Sequence, residues 1–399
     1  MKWTSKPLAE VADFCLGKML DDKKNRGQSL PYLANVNVRW GEFDLTDLRE
    51  MRFEDHEADR YGLRFGDIVM CEGGEPGRCA IWKEVTPGMM FQKALHRIRP
   101  HSCLDYRYLF YSFLEMGRRD AFNQLFTGST IKHLPREKLA KVEVRFPELE
   151  VQKRIADVLS AYDDLIENNR RRMALLEESA RLLYREWFVR LRFPGHEHTP
   201  IVNGLPEGWA KGCVSDFYDT ASGGTPSRTN PDFFTGETLW VKTQELANGF
   251  VIDTEEKITE DAVRQSAAKV FPDRTILVAM YGATIGQAGI LAATAASNQA
   301  CCAILPSDER ANYIHAFLFF RENKEKLVGL AQGAAQNNIN QQIVRAYPMM
   351  MPTRRLAELF YESLSPVFEQ WLVTQRMNDR LKAARDLLLP RLMSGEVTV

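Results

Sequence analysis

Two short motifs in the chain contain residues that some enzymes use for chemistry. Asn230-Pro231-Asp232-Phe233 differs by one residue from the Asn-Pro-Pro-Phe/Tyr loop that holds the target base in amino-methyltransferases. No strand pattern precedes it and no glycine-rich motif for S-adenosylmethionine occurs in the chain, so we interpret it as a turn. Pro272-Asp273 resembles the start of a nuclease motif, but no strand with Glu-x-Lys follows at a workable distance. Asp273 is therefore expected to cap or turn the chain.

Other catalytic signatures are absent from the sequence. It has no Gly-x-x-x-x-Gly-Lys-Ser/Thr loop for nucleotide phosphates. The seven histidines include no His-x-x-x-His, and His196-Glu197-His198 is an isolated cluster in a linker, so no metal site is predicted. The seven cysteines are an odd number without Cys-x-x-Cys, which argues against disulfides and zinc and favours a reducing cytoplasm. The sequence favours a binding protein with no cofactor of its own.

Composition and length set broad limits on the fold. A chain of 399 residues is too long for one ordinary core, so two or more domains are expected. Its apolar and charged fractions, 45% and 26%, are typical of globular proteins, and neither a membrane span nor a signal peptide is predicted. The net charge of −1 argues mildly against a nucleic-acid binder, although it allows a local basic face.

The elements that must position any functional side chain are organised around a long helix, predicted from residue 148 to about 190. Apolar residues recur there at alternating spacings of four and three, with charged residues between them and no Pro or Gly. This pattern is that of a coiled-coil seam. The seam consists of Ile155, Leu159, Tyr162, Ile166, Asn169, Met173, Leu176, Ala180, Leu183 and Trp187.

A second seam in the same register lies 205 residues further along the chain. It consists of Phe360, Leu364, Val367, Trp371, Thr374, Asn378, Leu381, Arg385, Leu388 and Leu392. Because the two seams match, we predict that the two helices pair with each other as an antiparallel coiled coil with approximate twofold symmetry. A polar seam residue such as Asn169 usually fixes register and partner.

The regions that precede the two helices also repeat. A strand with alternating polarity is predicted at 31–38, and a matching strand at 239–246; the apolar runs at 66–70 and 275–279 also correspond. Gly73 and Gly77 match Gly282 and Gly286 at a shift of 209, and residues 128–134 match 333–339 at a shift of 205. A helix is predicted over 105–118. The sequence therefore predicts an α/β (α+β) chain of two tandem globular domains, 1–147 and 195–352, each followed by a long helix, 148–194 and 353–399.

The order of several segments resembles a known family. They are Gly128-Ser-Thr-Ile-Lys-His-Leu134, the stretch from Pro147 to Asp163 with its Gln152 and Ile155-Ala156, the loop Gly223-Gly224-Thr225-Pro226-Ser227, and the ending Leu389-Pro-Arg-Leu-Met-Ser-Gly-Glu-Val397. Together they resemble the specificity subunit of type I restriction–modification enzymes, over the whole chain and in both repeats. The second copy departs from the pattern at Gly333-Ala-Ala-Gln and at Thr353-Arg-Arg-Leu.

The resemblance implies a non-catalytic subunit that recognises double-stranded DNA. Each globular domain would be a target recognition domain for one half of a split sequence, and the paired helices would set the spacer. The implied partners are two modification subunits, which carry the S-adenosylmethionine, and, in the full complex, two restriction subunits that use ATP and Mg. Two other classes stay open: a methyltransferase or nuclease with an unrecognised site, and a coiled-coil assembly scaffold.

Base and phosphate contacts are expected from Arg, Lys, Asn, Gln, Ser, Thr and His on loops. In the first domain the candidates are Lys23, Lys24, Arg26, Asn35, Asn37, Arg39, Arg78, Lys93, Ser129, Thr130, Lys132 and His133. In the second they are Thr225, Ser227, Arg228, Thr229, Lys242, Thr243, Gln244, Gln287, Asn298, Gln299, Gln336, Asn337 and Asn338. The loops that begin at Gly128, Gly223 and Gly333 are the preferred sites, because glycine permits close backbone approach to phosphate.

Overall fold

The computed structural model describes residues 3–21, 25–128, 130–331 and 338–399. They belong to two compact units: unit 1 comprises Met1–Ile166 and Arg380–Val399, and unit 2 comprises Glu167–Asp379. The domain boundaries predicted from the sequence lie before and after the long helices. The two units divide instead inside the long helices, between residues 166 and 167 and between residues 379 and 380. Each unit therefore contains one globular region and a segment of both helices.

The strands of unit 1 are β1 (Thr4–Pro7), β2 (Ala12–Leu16), β3 (Gln28–Leu33), β4 (Arg49–Phe53), β5 (Ile68–Cys71), β6 (Cys79–Ile81), β7 (Met90–Phe91), β8 (Leu95–Pro100) and β9 (Glu143–Phe146). Strand β1 pairs with β9, a four-stranded sheet has the order β2-β8-β5-β6, and a three-stranded sheet has the order β4-β3-β7. The α-helices of unit 1 before the long helix are Leu8–Val11, Ala58–Tyr61, Tyr106–Arg118 and Arg136–Leu139.

The helix predicted over 105–118 begins where its cap residue lies. The Asp105 carboxylate accepts hydrogen bonds from the backbone N–H groups of Arg107 and Tyr108, at 2.9 and 3.1 Å, which satisfies donors that the first turn leaves free. The apolar face of this helix, including Tyr108 and Phe113, belongs to the same buried cluster as Ile155 of the long helix. The core of unit 1 thus includes the coiled-coil seam.

The strands of unit 2 are β10 (Ile201–Val202), β11 (Leu205–Pro206), β12 (Ala210–Cys213), β13 (Tyr218–Ser222), β14 (Thr238–Val241), β15 (Phe250–Val251), β16 (Lys257–Ile258), β17 (Lys269–Phe271), β18 (Ile276–Ala279), β19 (Ala288–Leu291), β20 (Ala295–Ser297), β21 (Cys301–Pro306) and β22 (Pro348–Met351). A five-stranded sheet has the order β13-β21-β18-β19-β15 and a four-stranded sheet has the order β16-β14-β20-β17, while β10 pairs with β11 and β12 with β22. The shorter α-helices of unit 2 are Glu260–Arg264, Tyr313–Glu322, Lys324–Gly329 and Gln341–Arg345.

The strands predicted over 31–38 and 239–246 are wrong at their carboxyl ends, since β3 ends at Leu33 and β14 at Val241. In both places the chain turns into a 3₁₀ helix after the strand. The backbone N–H of the residue before this helix donates a hydrogen bond to the side chain three residues further along. The Asn37 Oδ1 accepts a hydrogen bond from the Ala34 backbone N–H at 2.9 Å. A Glu245 carboxylate oxygen accepts one from the Lys242 backbone N–H at 2.6 Å. After β3 the alternation of polar and apolar residues continues to Val38, so it does not mark the end of the strand. After β14 residues 242–245 are all polar, and the match to the first repeat extends the predicted strand over them.

The two long helices are Leu149–Tyr184, which continues as a π-helical turn over Arg185–Val189, and Arg354–Ser394. Within unit 1, the Arg154 Nε donates to the Val399 carbonyl oxygen at 3.0 Å, and Asp163 pairs with Arg385. Residue numbers therefore rise along one helix as they fall along the other. The predicted antiparallel pairing is confirmed for this segment.

The same direction holds within unit 2. Asn169 contacts Asn378, and the rings of Trp187 and Phe360 lie 5.4 Å apart. All twenty seam positions are buried or partly buried. The Asn169 amide donates to the Asn378 side-chain oxygen at 2.9 Å, and both residues are buried. A hydrogen bond inside an apolar seam favours the one register that brings both amides together.

Among the described residues, none of the helices combines the length and the apolar composition that a bilayer-spanning segment needs.

A buried histidine lies where the globular region of unit 2 meets the central helix. The His315 ring packs at 5.7 Å from the Tyr184 ring and at 5.0 Å from the Phe188 ring. Its Nδ1 lies 3.2 Å from the Tyr218 hydroxyl, and its buried Nε2 has no hydrogen-bond partner among the described residues. Burial lowers the pKa of His315 to about 4, because the surrounding rings do not solvate a cation.

We expect this histidine to make unit 2 less stable in mild acid. The pKa rises from about 4 in the folded chain to about 6.5 when the chain unfolds. The unfolded state therefore binds the proton first, and stability present above pH 6.5 is lost as the pH falls towards 4. His315→Gln should remove this dependence. When the pH is lowered from 7.5 to 5, the unfolding free energy of the native chain should therefore fall by about 2 kcal/mol more than that of the variant.

Urea unfolding of the native chain and the variant at both pH values measures this shift. His101→Gln is a matched control, because the His101 side chain is 40% exposed. An identical pH dependence for the native chain and His315→Gln would contradict the assignment.

Candidate nucleic-acid interface

Parallel strand pairs bring polar loops to one edge in each unit. In unit 2, β14 and β20 run parallel with Val241 opposite Ser297, so the segments that follow both strands leave at the same edge. The Asn298 backbone N–H donates to the Val241 carbonyl oxygen at 2.9 Å. The loop after β13 packs on this edge, since the Gly224 N–H donates to the Ser297 carbonyl oxygen at 2.9 Å.

Unit 1 repeats this arrangement. Its strands β3 and β7 run parallel with Leu33 opposite Phe91, and the Gln92 N–H donates to the Leu33 carbonyl oxygen at 3.0 Å. The loop after β2 lies against this edge, where the Lys18 N–H donates to the Phe91 carbonyl oxygen at 3.1 Å. The described residues 17–21 are therefore the counterpart of the start of the loop 223–229.

Two further loops join each edge through equivalent hydrogen bonds. In unit 1 the Glu72 N–H donates to Ala94 and the Leu134 N–H donates to Glu72, at 2.8 and 2.7 Å. In unit 2 the Met280 N–H donates to Ala300 and the Ile339 N–H donates to Met280, at 2.8 and 2.9 Å. The repeat seen in the sequence is thus a repeat of backbone contacts.

We call each set of five connected segments a loop face. The loop face of unit 1 comprises 17–18, Asn35–Asn37, 72–78, 92–94 and 127–134 without Ser129. The loop face of unit 2 comprises 223–229, Thr243–Glu245, 280–286, 298–300 and 338–339.

Most predicted residues of unit 1 lie on or beside its loop face. Arg39, Lys93, Thr130 and Lys132 are exposed, whereas Asn35 and His133 are partly buried. Arg26 is also exposed, but it precedes the amino end of β3, and the loop face adjoins the carboxyl end of that strand. The Asn35 amide donates to the Gly73 carbonyl oxygen at 3.4 Å, and the His133 Nδ1 lies 3.2 Å from a carboxylate oxygen of Glu72. Lys23, Lys24 and Ser129 lie outside the described residues.

Two predicted contacts of unit 1 are used inside the chain. Asn37 is 5% exposed, and its side chain bonds Ala34, Asp44 and Asp47. Arg78 has a side chain 12% exposed, paired with Glu75 at 2.7 Å. We leave both residues out of the interface. The position of Asn37 is that of Glu245 in the other repeat, and both residues form the same turn.

Four of the predicted residues of unit 2 contact one another in pairs. The Thr225 hydroxyl donates to the Gln299 side-chain oxygen, and the hydroxyls of Ser227 and Thr229 lie 2.8 Å apart. Thr243, Gln287 and Asn298 are partly buried, and Gln244 and Asn338 are exposed. Gln336 and Asn337, with Gly333, lie outside the described residues.

The predicted cations of unit 2 are paired with carboxylates. Arg228 donates to both carboxylate oxygens of Glu256 at 2.5 and 2.8 Å, and the Lys242 Nζ lies 2.7 Å from Glu255. The bond from Arg228 holds the pKa of Glu256 at about 2, and the bond to Glu255 raises the pKa of Lys242. All four groups are therefore ionised at neutral pH.

The glycines of these loops are required by packing within the chain. A Cβ on Gly223 would lie 2.0 Å from the Ser297 carbonyl oxygen. Gly128 has a φ of +91°, and a Cβ there would lie 2.2 Å from the Ile131 carbonyl oxygen. Close packing accounts for both glycines, and the approach of a phosphate to these loops stays a prediction.

Carboxylates at the loop faces were not predicted from the sequence, because only cations, amides, hydroxyls and histidine were expected to contact DNA. Glu72, Glu255 and Glu256 each contact a predicted residue. The correspondence between Gly17 and Gly223 was also not predicted, although the two glycines lie 206 residues apart. A Cβ on Gly17 would lie 2.4 Å from the Gln92 carbonyl oxygen, which matches the packing of Gly223.

The two motifs considered for catalysis are local turns. The Asn230 side chain accepts a hydrogen bond from the Asp232 backbone N–H at 3.3 Å and caps the 3₁₀ helix Pro231–Phe234. Pro272 begins a turn in which the Thr275 N–H donates to its carbonyl oxygen at 3.4 Å. Over the described ranges, no group of three or more His, Cys, Asp or Glu has the arrangement of a metal site.

Comparisons with known proteins agree with this geometry. The family model for the type I restriction modification DNA specificity domain matches residues 2–178 and again 206–382. The MjaIX specificity subunit of Methanocaldococcus jannaschii is 23% identical, over 100% of this chain and 94% of that protein. The HindI specificity subunit of Haemophilus influenzae is 22% identical, over 68% of this chain and 72% of that protein.

A solved structure has the same fold. The S subunit of a type I restriction–modification system from M. genitalium superposes with a TM-score of 0.60 at 15% identity, over 98% of this chain and 96% of that one. Because the family model matches both repeats and most of the chain, the chain belongs to the specificity subunits of type I restriction–modification systems, the non-catalytic components that recognise DNA sequence.

Proposed function

We propose that each loop face reads one half of a bipartite duplex target. The observation that supports this most is the repeated frame with different side chains. The contacts that assemble the two loop faces are equivalent, whereas the exposed polar residues on them differ, for example Lys93 against Gln299. Phosphate contacts position a protein on DNA and base contacts specify sequence, so one frame with two sets of side chains suits two different half-sites.

We predict that the two half-sites are read independently. Replacing Ser227, Arg228, Thr229 and Gln244 together with alanine should change or abolish recognition of one half-site and leave the other unchanged. Each lost base contact should cost about 1–3 kcal/mol of discrimination. The measurement is the methylated motif in cells that express the variant with its partner subunits, read by methylation-sensitive sequencing.

Matched substitutions in unit 1, Thr130→Ala with Lys132→Ala and Lys93→Ala, should affect the opposite half-site. Equal loss of preference at both half-sites from either set would contradict the division of labour.

We propose further that the paired helices determine the spacer between the half-sites. Both helices contribute to the core of each unit, so a change in their length must move one globular region along the pair relative to the other. The buried Asn169–Asn378 bond supports a single register. A fixed register is what a spacer of defined length requires.

Inserting four residues after Asn169 and four before Asn378 should lengthen both helices by roughly 6 Å. The spacer in the methylated motif should then grow by about two base pairs, at ~3.4 Å each, while both half-sites stay the same. A four-residue insertion after Gly204, in the exposed turn between β10 and β11, is the control and should leave the spacer unchanged. An active, folded helix variant with the original spacer would refute this role.

We propose that modification subunits dock on an exposed face of the paired helices. In unit 2, Leu175 and Leu182 lie seven residues apart on the central helix and are 72% and 49% exposed, and Val189 in the π-helical turn that follows is 56% exposed. Leu175 and Leu182 therefore lie on one stripe of the helix. The residues that contact the globular region lie about 200° away around the helix, such as Glu177, which pairs with Arg321, and Tyr184, which packs on His315.

The C-terminal helix adds apolar residues to the same unit. Val373 and Met377 are 62% and 54% exposed and four residues apart, whereas Phe368 and Trp371 pack on the globular region. Apolar surface of this kind marks protein interfaces more often than solvated helix faces. Leu165 and Leu387 of unit 1, 52% and 72% exposed, would contribute to a second site, which gives two modification subunits per chain.

The S-adenosylmethionine chemistry would then lie on the modification subunits, and the ATP and Mg chemistry on two restriction subunits in the full complex. The charged helix residues Arg170, Arg171, Arg172 and Arg181 would contribute polar surface beside the apolar stripe.

Leu175→Arg with Leu182→Arg should remove one of two docking sites, because a charge would be buried without a partner. Native mass spectrometry with excess modification subunit should give two partners per native chain and one per variant. Ile201→Arg with Val202→Arg places the same charges on an exposed hairpin, 59% and 52% exposed, and should keep two. Saturation of the native chain at one partner, or undiminished binding by the helix variant, would show the proposal to be wrong.

A further inference from the structure

Arg228 is held on the loop face of unit 2 by three sets of contacts. Its Nη1 and Nη2 donate to the two carboxylate oxygens of Glu256 at 2.5 and 2.8 Å. Its Cζ lies 4.2 Å from the ring centroid of Phe234 and 5.3 Å from that of Trp240. Trp240 is fixed in turn, since its indole N–H donates to the Gly224 carbonyl oxygen at 3.1 Å. The guanidinium is therefore oriented before a ligand arrives.

Glu256 is itself fixed by the sheet and by Lys242. Its carbonyl oxygen accepts hydrogen bonds from the Trp240 N–H at 3.3 Å and from the Thr254 hydroxyl at 2.7 Å. The Lys242 Nζ lies 3.2 Å from the Glu256 carboxylate and 2.7 Å from that of Glu255, and the Lys242 side chain is only 15% exposed. Lys242 thus supports the carboxylates instead of facing solvent.

This pairing changes what Arg228 can bind. A guanidinium has five N–H donors, and the two bonds to Glu256 leave three, on a side chain that is 55% exposed. The Glu256 carboxyl stays ionised because the hydrogen bond from Arg228 lowers its pKa to about 2. A neutralised guanidinium is attracted weakly to phosphate, since that attraction depends on net charge. Its directional donors still match the O6 and N7 acceptors of guanine.

We propose that Arg228 reads a guanine in one half-site, and that Glu256 is the positioning residue that makes Arg228 a base reader instead of a phosphate contact. The inference rests on the proposed function of the loop faces. It assigns Lys242, predicted from the sequence as a DNA contact, to the support of Glu256.

Arg228→Lys separates the two roles, because lysine keeps the charge and loses the planar fork. The full chain assembled with its modification subunits is titrated with a duplex that carries its methylated motif and with duplexes altered at each base pair in turn. Arg228→Lys and Arg228→Gln should both reduce discrimination at one G·C pair by roughly 10- to 100-fold. Neither should lower the slope of log affinity against log salt by the ~0.9 expected for a lost phosphate contact.

Glu256→Gln should relax discrimination at the same base pair. It should also raise affinity for a random-sequence duplex and steepen the salt slope by about 0.9, because the freed guanidinium can then contact phosphate. Arg264 and Asp261 provide matched controls, since they form an exposed ion pair at 2.7 Å in the same unit. Arg264→Gln and Asp261→Asn should leave discrimination at every base pair unchanged.

Wild-type discrimination and affinity in Arg228→Lys, with a uniform loss and a lower salt slope in Arg228→Gln, would overturn the inference and make Arg228 a phosphate contact. Unchanged base preference in Arg228→Gln would also overturn it. Both outcomes leave the proposed function intact as long as the combined loop substitutions still alter one half-site. If substitutions in both loop faces leave duplex binding unchanged, the proposed function itself fails.

Discussion

The antiparallel pairing of the two long helices is the constraint on which the rest of the structure depends. The main core of unit 1 contains Ile155 and Leu159 from one helix and Leu389 and Leu392 from the other. That of unit 2 likewise contains Tyr184 and Trp187 with Phe360 and Leu364. Burial of each such side chain stabilises the fold by about 1.5–3 kcal/mol. Neither globular region completes its core without both helices, so recognition and helix pairing are parts of one folding problem.

Under the proposed function, DNA recognition on that frame depends more on directed donors than on charge. The net charge of −1 is low for a protein that binds duplex DNA, and the loop faces agree with it. Arg228, Arg78 and Lys242 each contact a carboxylate of the same unit. Paired cations reduce the electrostatic, sequence-independent part of binding. In the proposed function, oriented side chains therefore read the sequence, and the assembled complex supplies the overall affinity.

The sequence predicted the repeat, the long helices and their seams, because these follow from periodicity. It placed the ends of β3 and β14 too late, since the turns at Asn37 and Glu245 each depend on a single capping side chain. It found most of the loops but not the partners of their side chains. Glu256 lies 28 residues from Arg228, and only the pairing of strands brings the two together. The burial of Asn37 and the pairing of Lys242 with Glu255 and Glu256 likewise could not be read from residue spacing.

The central claim is that the two loop faces read different half-sites, and hydrogen–deuterium exchange of the assembled complex tests it most directly. Backbone amides of both loop faces are followed with the target duplex and with duplexes in which one half-site at a time is scrambled. The account predicts that scrambling one half-site removes protection from a single loop face, and that scrambling the other removes it from the second. Simultaneous loss from both faces with either duplex, or protection confined to other surfaces, would contradict it.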